Sequence, residues 1–363
     1  MFLYLCSFIL ILSLVVIVHE GGHFFVARLC GIQVEAFSVG FGKKLWARKD
    51  KKGTEWRLCA IPLGGYVQML GDEDAASTQK SKRILTPEEE KKTFFVQPVY
   101  KRAAVIFAGP FMNYVLAVVI FTAILATMGY PRIPAKVGQV MEGSVAQSVG
   151  IQVGDLILEV NGKQIEDFSD LKRAVVLGGY GKSIDLKIER NGEILNLSVT
   201  PELVGKDEVP QLGVVSEAIV EPSFKKYDLI SAVGKSVETV YQMSVDTLIY
   251  LKQIIMGQRK ANDLRGPIGI AEASGDAAKG GWLSFILFLA QVSVGIGFVN
   301  LLPVPILDGG HLVFLAYEAV ARKPLSERIQ NALLKVGMGL LLFLFCFTLF
   351  KDIPRVVGRV FGL

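Results

Sequence analysis

Two short runs hold all three histidines of the chain: His19-Glu20-Gly21-Gly22-His23 near the start, and His311 directly after Leu307-Asp308-Gly309-Gly310. Residues four apart on a helix share a face, so His19 and His23 can grip one metal ion while Glu20 lies beside them to take a proton from metal-bound water. Asp308 is of the right type to be a third ligand, leaving a fourth position open for water, and the imidazole of His311 is a competing donor at the same place. The pattern implies hydrolysis by a metal-activated water. Both runs lie in apolar sequence, where ionisable side chains are costly and mark proton, ion or catalytic paths. A metal or proton transporter would use the same ligands, but such folds carry internal repeats, and none is found here.

The elements that position these residues are membrane spans. Of 363 residues 51% are hydrophobic, and the mean hydropathy is +0.44, enough for several spanning helices and one or two folded extramembrane parts. Residues 2–18 carry no charge, and apolar character resumes after the histidines at Phe24–Ala27. No Lys or Arg precedes this stretch and no small-residue cleavage site follows it, so it reads as a span rather than a secretory leader. Further apolar stretches cover about 103–128, 283–305 and 332–350. Four spans place both termini on one side.

Charge gives the orientation. Residues 28–102 hold 15 Lys/Arg, 129–282 hold 17 over twice the length, and 322–335 add four. The denser connections belong in the cytoplasm, which puts the termini and the central region outside it. The net charge of +5 comes with no aromatic-interleaved basic patch, so nucleic acid is not an expected partner. Cys6, Cys30, Cys59 and Cys346 are widely separated and form neither a zinc knuckle nor a disulfide framework.

The connections have structure of their own. Phe37–Gly42 and Trp56–Val67 read as short strands broken by glycines, and an edge strand beside the histidine helix could hold an extended peptide. Residues 71–93 read as a solvated polar segment. In the second span, Gly109 and Pro110 predict a kink or close helix packing, with Asn113 as a polar contact between helices. Residues 134–203 predict strands at Ala135–Val140, Leu156–Val160, Ser183–Glu189 and Ile194–Val199, turns at Asn161-Gly162 and Asn191-Gly192, and a helix near Phe168–Val176. The run from Gly143 to Gly162 resembles a PDZ domain of the bacterial protease type, a fold that binds extended peptides or chain termini by strand addition. Tyr227–Gly257 has the spacing of amphipathic helices that lie on a membrane or pack on the domain. In the third span, Asn300-Leu301-Leu302-Pro303-Val304-Pro305-Ile306-Leu307-Asp308 breaks the helix at membrane depth, which is tolerated only where the freed backbone is protein-buried or lines a wet cavity.

The predicted architecture is an α-helical integral membrane protein with about four transmembrane helices, a membrane-associated β element and an inserted α+β PDZ-like domain. Its parts are a first helix over 1–30, a cytoplasmic loop with the β element over 31–102, and a second helix over 103–130. The PDZ-like domain takes 131–205, a linker with amphipathic helices 206–281, the third transmembrane segment 282–321, and the fourth helix and tail 322–363.

Taken in order, HEGGH, the GPxxN element, the PDZ-like insertion, Gly266-Pro267-Ile268-Gly269-Ile270-Ala271 and NLLPVPILDGGH resemble the site-2 protease family of intramembrane zinc metalloproteases, in its bacterial regulator-of-sigma-E protease type. The resemblance implies Zn2+ held by His19, His23 and Asp308, Glu20 as general base, Asn300 orienting substrate or stabilising the oxyanion, and Asn113 supporting the site. It implies that Gly40, Phe41, Gly42, Gly64, Gly65 and Tyr66 clamp a substrate strand, and that His311 stands outside the ligand set. It further implies a bacterial inner-membrane protein acting on transmembrane segments of trimmed anti-sigma factors or remnant signal peptides, with membrane lipid around it and a peptide or protein terminus at the PDZ domain. Many relatives carry two PDZ domains and this chain shows one. A PDZ scaffold would need only that domain and its anchors, leaving Glu20 and Asp308 without a role.

Overall fold

The computed structural model describes residues 2–72, 84–205, 209–217, 223–259 and 266–361. Parts of the expected polar segment (73–83) and of the expected linker (206–208, 218–222, 260–265) lie outside the described residues. The chain forms two compact units, Met1–Phe121 with Arg265–Leu363, and Thr122–Leu264.

The first unit begins with helix α1 (Phe2–Leu29), then strands β1 (Val34–Lys49) and β2 (Glu55–Met69), a single helical turn α2 (Pro87–Glu90), and helix α3 (Val99–Thr127), which runs on into the second unit. The strands are far longer than the sequence suggests, and each folds back on itself. Residues 36–39 of β1 pair with 65–68 on one side and 55–58 on the other, while 44–49 pair only with 55–59. The result is a ribbon four stretches wide, in which the 44–49 and 65–69 stretches form the two edges. Gly40 and Gly42 allow the fold of β1, since both take positive φ near 85° and a Cβ on Gly40 would lie 2.6 Å from the Ile61 carbonyl oxygen.

Three contacts lay this ribbon along α1. Ser13 Oγ donates to the Pro62 carbonyl at 3.0 Å, a Cβ on Gly65 would touch Glu20 Cγ at 3.5 Å, and Arg28 pairs with Asp50 in the β1–β2 turn. Phe24, Ala27, Ile32, Val34, Phe37, Val67, Met69 and Val105 seal the space between. Asp50 is the hub of the turn. Partial burial raises its carboxyl pKa, but hydrogen bonds from Arg28, the Trp56 indole, and the Thr54 and Lys52 amides outweigh that and bring it to about 2. A carboxyl whose folded pKa lies below its ordinary 3.8 adds stability above that pH and loses it as pH falls through about 2. In detergent, Asp50→Asn should therefore melt about 3 °C below wild type at pH 7. That gap should close between pH 4 and 2. A gap that stays constant over the range would contradict this account.

In the second unit, β3 (Tyr130–Arg132), β4 (Val137–Val140), α4 (Val145–Ser148), β5 (Leu156–Val160), β6 (Lys163–Gln164), α5 (Phe168–Gly178), β7 (Ile184–Arg190) and β8 (Glu193–Val199) follow the predicted order. β6-β5-β7-β8 form one sheet, and Ile157, Leu171, Val175, Ile184, Leu186 and Ile188 are its buried core. The domain does not end at 205 as expected. After β9 (Glu202–Val204) and β10 (Val209–Gln211), strand β11 (Val214–Ser216) returns to pair with β4, and Leu212 enters the same core. A pairing across more than seventy residues leaves no local sequence signal. β12 (Ser223–Lys225) then pairs with β3, and the region read as several amphipathic helices is one helix, α6 (Leu229–Ile255), joined to α5 by Arg173–Asp246 contacts of 2.5 and 2.6 Å.

The first unit resumes with α7 (Pro267–Lys279), a helix the sequence reading passed over, then α8 (Trp282–Asn300), α9 (Asp308–Ala321) and α10 (Glu327–Phe361). The start of α7 is capped from elsewhere: Asp352 of α10 accepts the Gly269 N–H at 2.9 Å. Among the described residues, four helices are long and apolar enough to cross a membrane: α1, α3, α8 and the Glu327–Asp352 part of α10. The fold is thus that of a helical membrane protein with a β ribbon and an inserted α+β domain.

Candidate metal centre

HEGGH lies on α1 at a point where another helix comes unusually close. A Cβ on Gly22 would sit 2.3 Å from the Ala108 carbonyl oxygen of α3, so only glycine permits this crossing. From the far side, α8 ends at Asn300 and α9 begins at Asp308. The interrupted stretch folds tightly enough that Cβ atoms on Gly309 and Gly310 would strike the Leu302 and Val304 carbonyls at 2.3 and 2.2 Å. The break and its paired glycines swing Asp308 towards α1. Arg102 of α3 and Glu318 of α9 hold the two helices together through hydrogen bonds of 3.1 and 2.5 Å.

The three residues meet. His19 Nε2 lies 3.3 Å from His23 Nε2 and 3.1 Å from Asp308 Oδ2, and His23 Nε2 lies 3.6 Å from Asp308 Oδ1. All three side chains are largely shielded. His23 Nδ1 lies 2.8 Å from the Val105 carbonyl, which can only accept, so this nitrogen carries the proton and Nε2 turns a bare lone pair into the site. His19 Nδ1 lies 3.3 Å from the Asn113 side-chain nitrogen, while Asn113 Oδ1, fully buried, lacks a partner. Amide oxygen and nitrogen are interchangeable by a half turn, and turning Asn113 lets Oδ1 accept Nδ1–H. That one change satisfies the orphaned oxygen and gives His19 the tautomer of His23.

Acceptors then face acceptors. Asp308 Oδ2 is buried and receives no hydrogen bond of acceptable geometry despite its 3.1 Å approach to His19. Zinc ligands about 2.0–2.1 Å from a tetrahedral ion stand about 3.4 Å from one another. Separations of 3.1, 3.3 and 3.6 Å match that edge, and the donor set of two imidazoles and one carboxylate is that of a catalytic zinc site. The residues fit the ion.

A cavity of about 190 Å³ opens beside them. Glu20 and Asn300 line it with His19, His23 and Asp308, and so does His311. The carboxyl group of Glu20 comes up against the backbone N–H of Val67, so β2 lies directly beside the side chain expected to move the proton. Val67 and Met69 of the same edge form the adjoining wall, together with Phe94, Val105 and Ile106. Val67 ends the strand expected to meet substrate, whereas Met69, Phe94, Val105 and Ile106 carry no sequence signal for this wall. The six expected strand-clamping residues lie on the ribbon but none is part of the cavity wall: Gly65 packs on α1, and Phe41 stacks on Tyr66 with centroids 6.0 Å apart. Gly109 was read as a packing glycine, yet a Cβ there would lie 2.3 Å from His23 Nε2 and 2.9 Å from His19 Nε2.

The profile of Peptidase family M50 matches residues 7–344. A protein of Mesorhizobium japonicum with the provisional name of zinc metalloprotease is 40% identical over 96% of this chain and 98% of its own length. Metalloprotease MmpA of Caulobacter vibrioides is 37% identical over 97% of this chain and 95% of its own. Among solved structures, the PDZ domain of the SdrC-like protein of Listeria innocua matches with 19% identity and a TM-score of 0.21, covering 23% of this chain and 92% of that domain.

Proposed function

The chain belongs to Peptidase family M50 and is a zinc metalloprotease, and on that premise we propose that it cuts peptide bonds inside membrane-spanning segments of other proteins. The convergence of His19, His23 and Asp308 at ligand spacing, inside a chain of four apolar spans, carries this reading. When bound there, zinc supplies Lewis acidity, which polarises a scissile carbonyl and lowers the pKa of water towards about 7.

The protein's own residues do the rest. A helical substrate keeps every carbonyl hydrogen-bonded, so it must unwind before it can be cut. The 65–68 stretch, the outer edge of β2 whose Val67 borders the cavity, is where the unwound segment would add as a strand. Glu20, beside the Val67 N–H, accepts a proton from water as it attacks the carbonyl and delivers it to the departing amine. Asn300, at the last turn of α8, orients the substrate or donates to the oxygen on which charge develops. Asn113 and Val105 hold the two imidazoles in the tautomer that ligates.

The charge distribution supports an orientation with termini and PDZ unit extracytoplasmic, and the bacterial relatives support an inner-membrane location. Trimmed anti-sigma factors and remnant signal peptides, single-span proteins without bulky outer domains, are the substrates proposed, with the PDZ unit receiving a peptide or chain terminus.

The test is zinc content and cleavage of a single-span substrate in detergent for wild type and Asp308→Asn. About one zinc per chain with cleavage in wild type, and a ten- to hundred-fold weaker hold on zinc in the variant, is the expected outcome. Undiminished zinc in Asp308→Asn would remove Asp308 from the ligand set.

A further inference from the structure

The ribbon has a second edge, away from the metal centre, which the proposed reaction does not use. Residues 44–49 of β1 pair only with 55–59 and leave their other side open. Its depth can be read from α1. Ser13 touches Pro62 near the inner end of the ribbon and Arg28 touches Asp50 at the turn, a separation of fifteen helical residues, or about 22 Å. The inner end therefore stands within the apolar layer and the turn stands where α1 leaves it.

Side chains along the open edge follow that depth. Towards the inner end, Leu45 is 65% exposed, Trp46 54%, Leu58 45% and Ile61 51%, all large apolar groups. Lys44 and Arg57 are both spent on Glu55 and Asp50 is taken by Arg28, while Lys43, at the inner tip beside Gly42, is exposed. Towards the turn, Arg48, Lys49, Lys51 and Lys52 are all exposed, and among the described residues none has an ion-pair partner. With both nearby acids neutralised, four uncompensated positive charges crown an apolar strip that ends in a tryptophan. Indole at the interface and cations just beyond it are the arrangement that binds a bilayer surface carrying negative charge.

We propose that this outer edge is a lipid-binding face selective for anionic phospholipids, with Arg48, Lys49, Lys51 and Lys52 on headgroup phosphates and Leu45, Trp46 and Leu58 among the acyl chains. The face anchors the ribbon by one edge and leaves the opposite, 65–68 edge to the substrate. A protein segment on the same edge would have to match four cations at the turn and a largely apolar strip above it. A leaflet containing acidic lipid does both at once.

The experiment uses the full chain in bilayers of three parts phosphatidylcholine to one part phosphatidylglycerol. Bromine is carried on the phosphatidylglycerol in one preparation and on an equal amount of phosphatidylcholine in the other. The emission of Trp46 is obtained as the difference between the native protein and Trp46→Phe, which leaves Trp56 and Trp282 in place. Quenching by brominated phosphatidylglycerol should exceed that by brominated phosphatidylcholine by about two-fold or more. Replacing Arg48, Lys49, Lys51 and Lys52 together by glutamine, all on the surface, should equalise the two while substrate cleavage confirms a folded enzyme. Equal quenching in the native protein would show lipid contact without selection and overturn the proposal. Absence of quenching by either lipid would mean that protein, such as substrate or a second copy, covers the edge, and would overturn it as well.

Discussion

Glu20→Gln is expected to lower turnover of a single-span substrate by about 10²–10⁴-fold while zinc content stays at the wild-type level. Glutamine keeps the shape and an acceptor oxygen, so the Val67 N–H still faces an acceptor and β2 keeps its place beside α1. What it loses is the ability to take a proton from water and return it to the amine. His19, His23 and Asp308 are untouched, and their other bonds run to α3 rather than to Glu20. Parallel zinc analysis and initial-rate measurements on the purified variant decide the matter. Appreciable turnover with zinc present would assign the proton transfer to another residue, and His311, also on the cavity wall, would be next to test.

A second large effect is expected from a single methyl group. Gly109→Ala should reduce bound zinc to about a tenth of wild type or less, and cleavage with it. The added Cβ would fall 2.3 Å from His23 Nε2, 2.5 Å from His23 Cε1 and 2.9 Å from His19 Nε2, so both imidazoles must swing away or α1 must part from α3. Neither movement is small, because Gly22 already meets Ala108 at the same crossing. Gly21→Ala is the matched control. It lies between the two histidines in sequence, yet a Cβ there meets nothing within 4 Å, and alanine suits a helix better than glycine. Zinc and activity should survive Gly21→Ala. Equal loss in both variants would point to general damage to the helix, and equal retention would mean that the crossing relaxes.

Much of the centre was legible because its logic is local. HEGGH puts two ligands on one helical face by spacing alone, and the prolines and glycines before His311 announce a broken helix where Asp308 is needed. The strand residues show where such reading stops. Along the last part of β2, Gly65 faces α1 while Val67 and Met69 line the cavity, whereas Tyr66, one step out of phase, turns to Arg57 and Phe41. Strand side chains alternate, so which residues meet the site depends on register, and register here is fixed by a ribbon that doubles back through bulges. The end of the PDZ-like unit was missed for a related reason, since β11 finds its partner β4 only in three dimensions. Asn113 was recognised as a polar contact, but its target, the back of His19, follows only from the helix crossing.

Both histidines are held from behind, one by a carbonyl and one by an amide of α3. Their rotamers and protonation are therefore decided when α1 packs against α3, as part of folding, and no loop need be ordered when an ion arrives. Metal uptake would then be a binding event at a preorganised site rather than a folding event, unlike small zinc domains that are unfolded without their metal. Stripping the ion with a chelator would then silence the protease and leave the four-helix frame standing, ready to be reloaded without leaving the membrane.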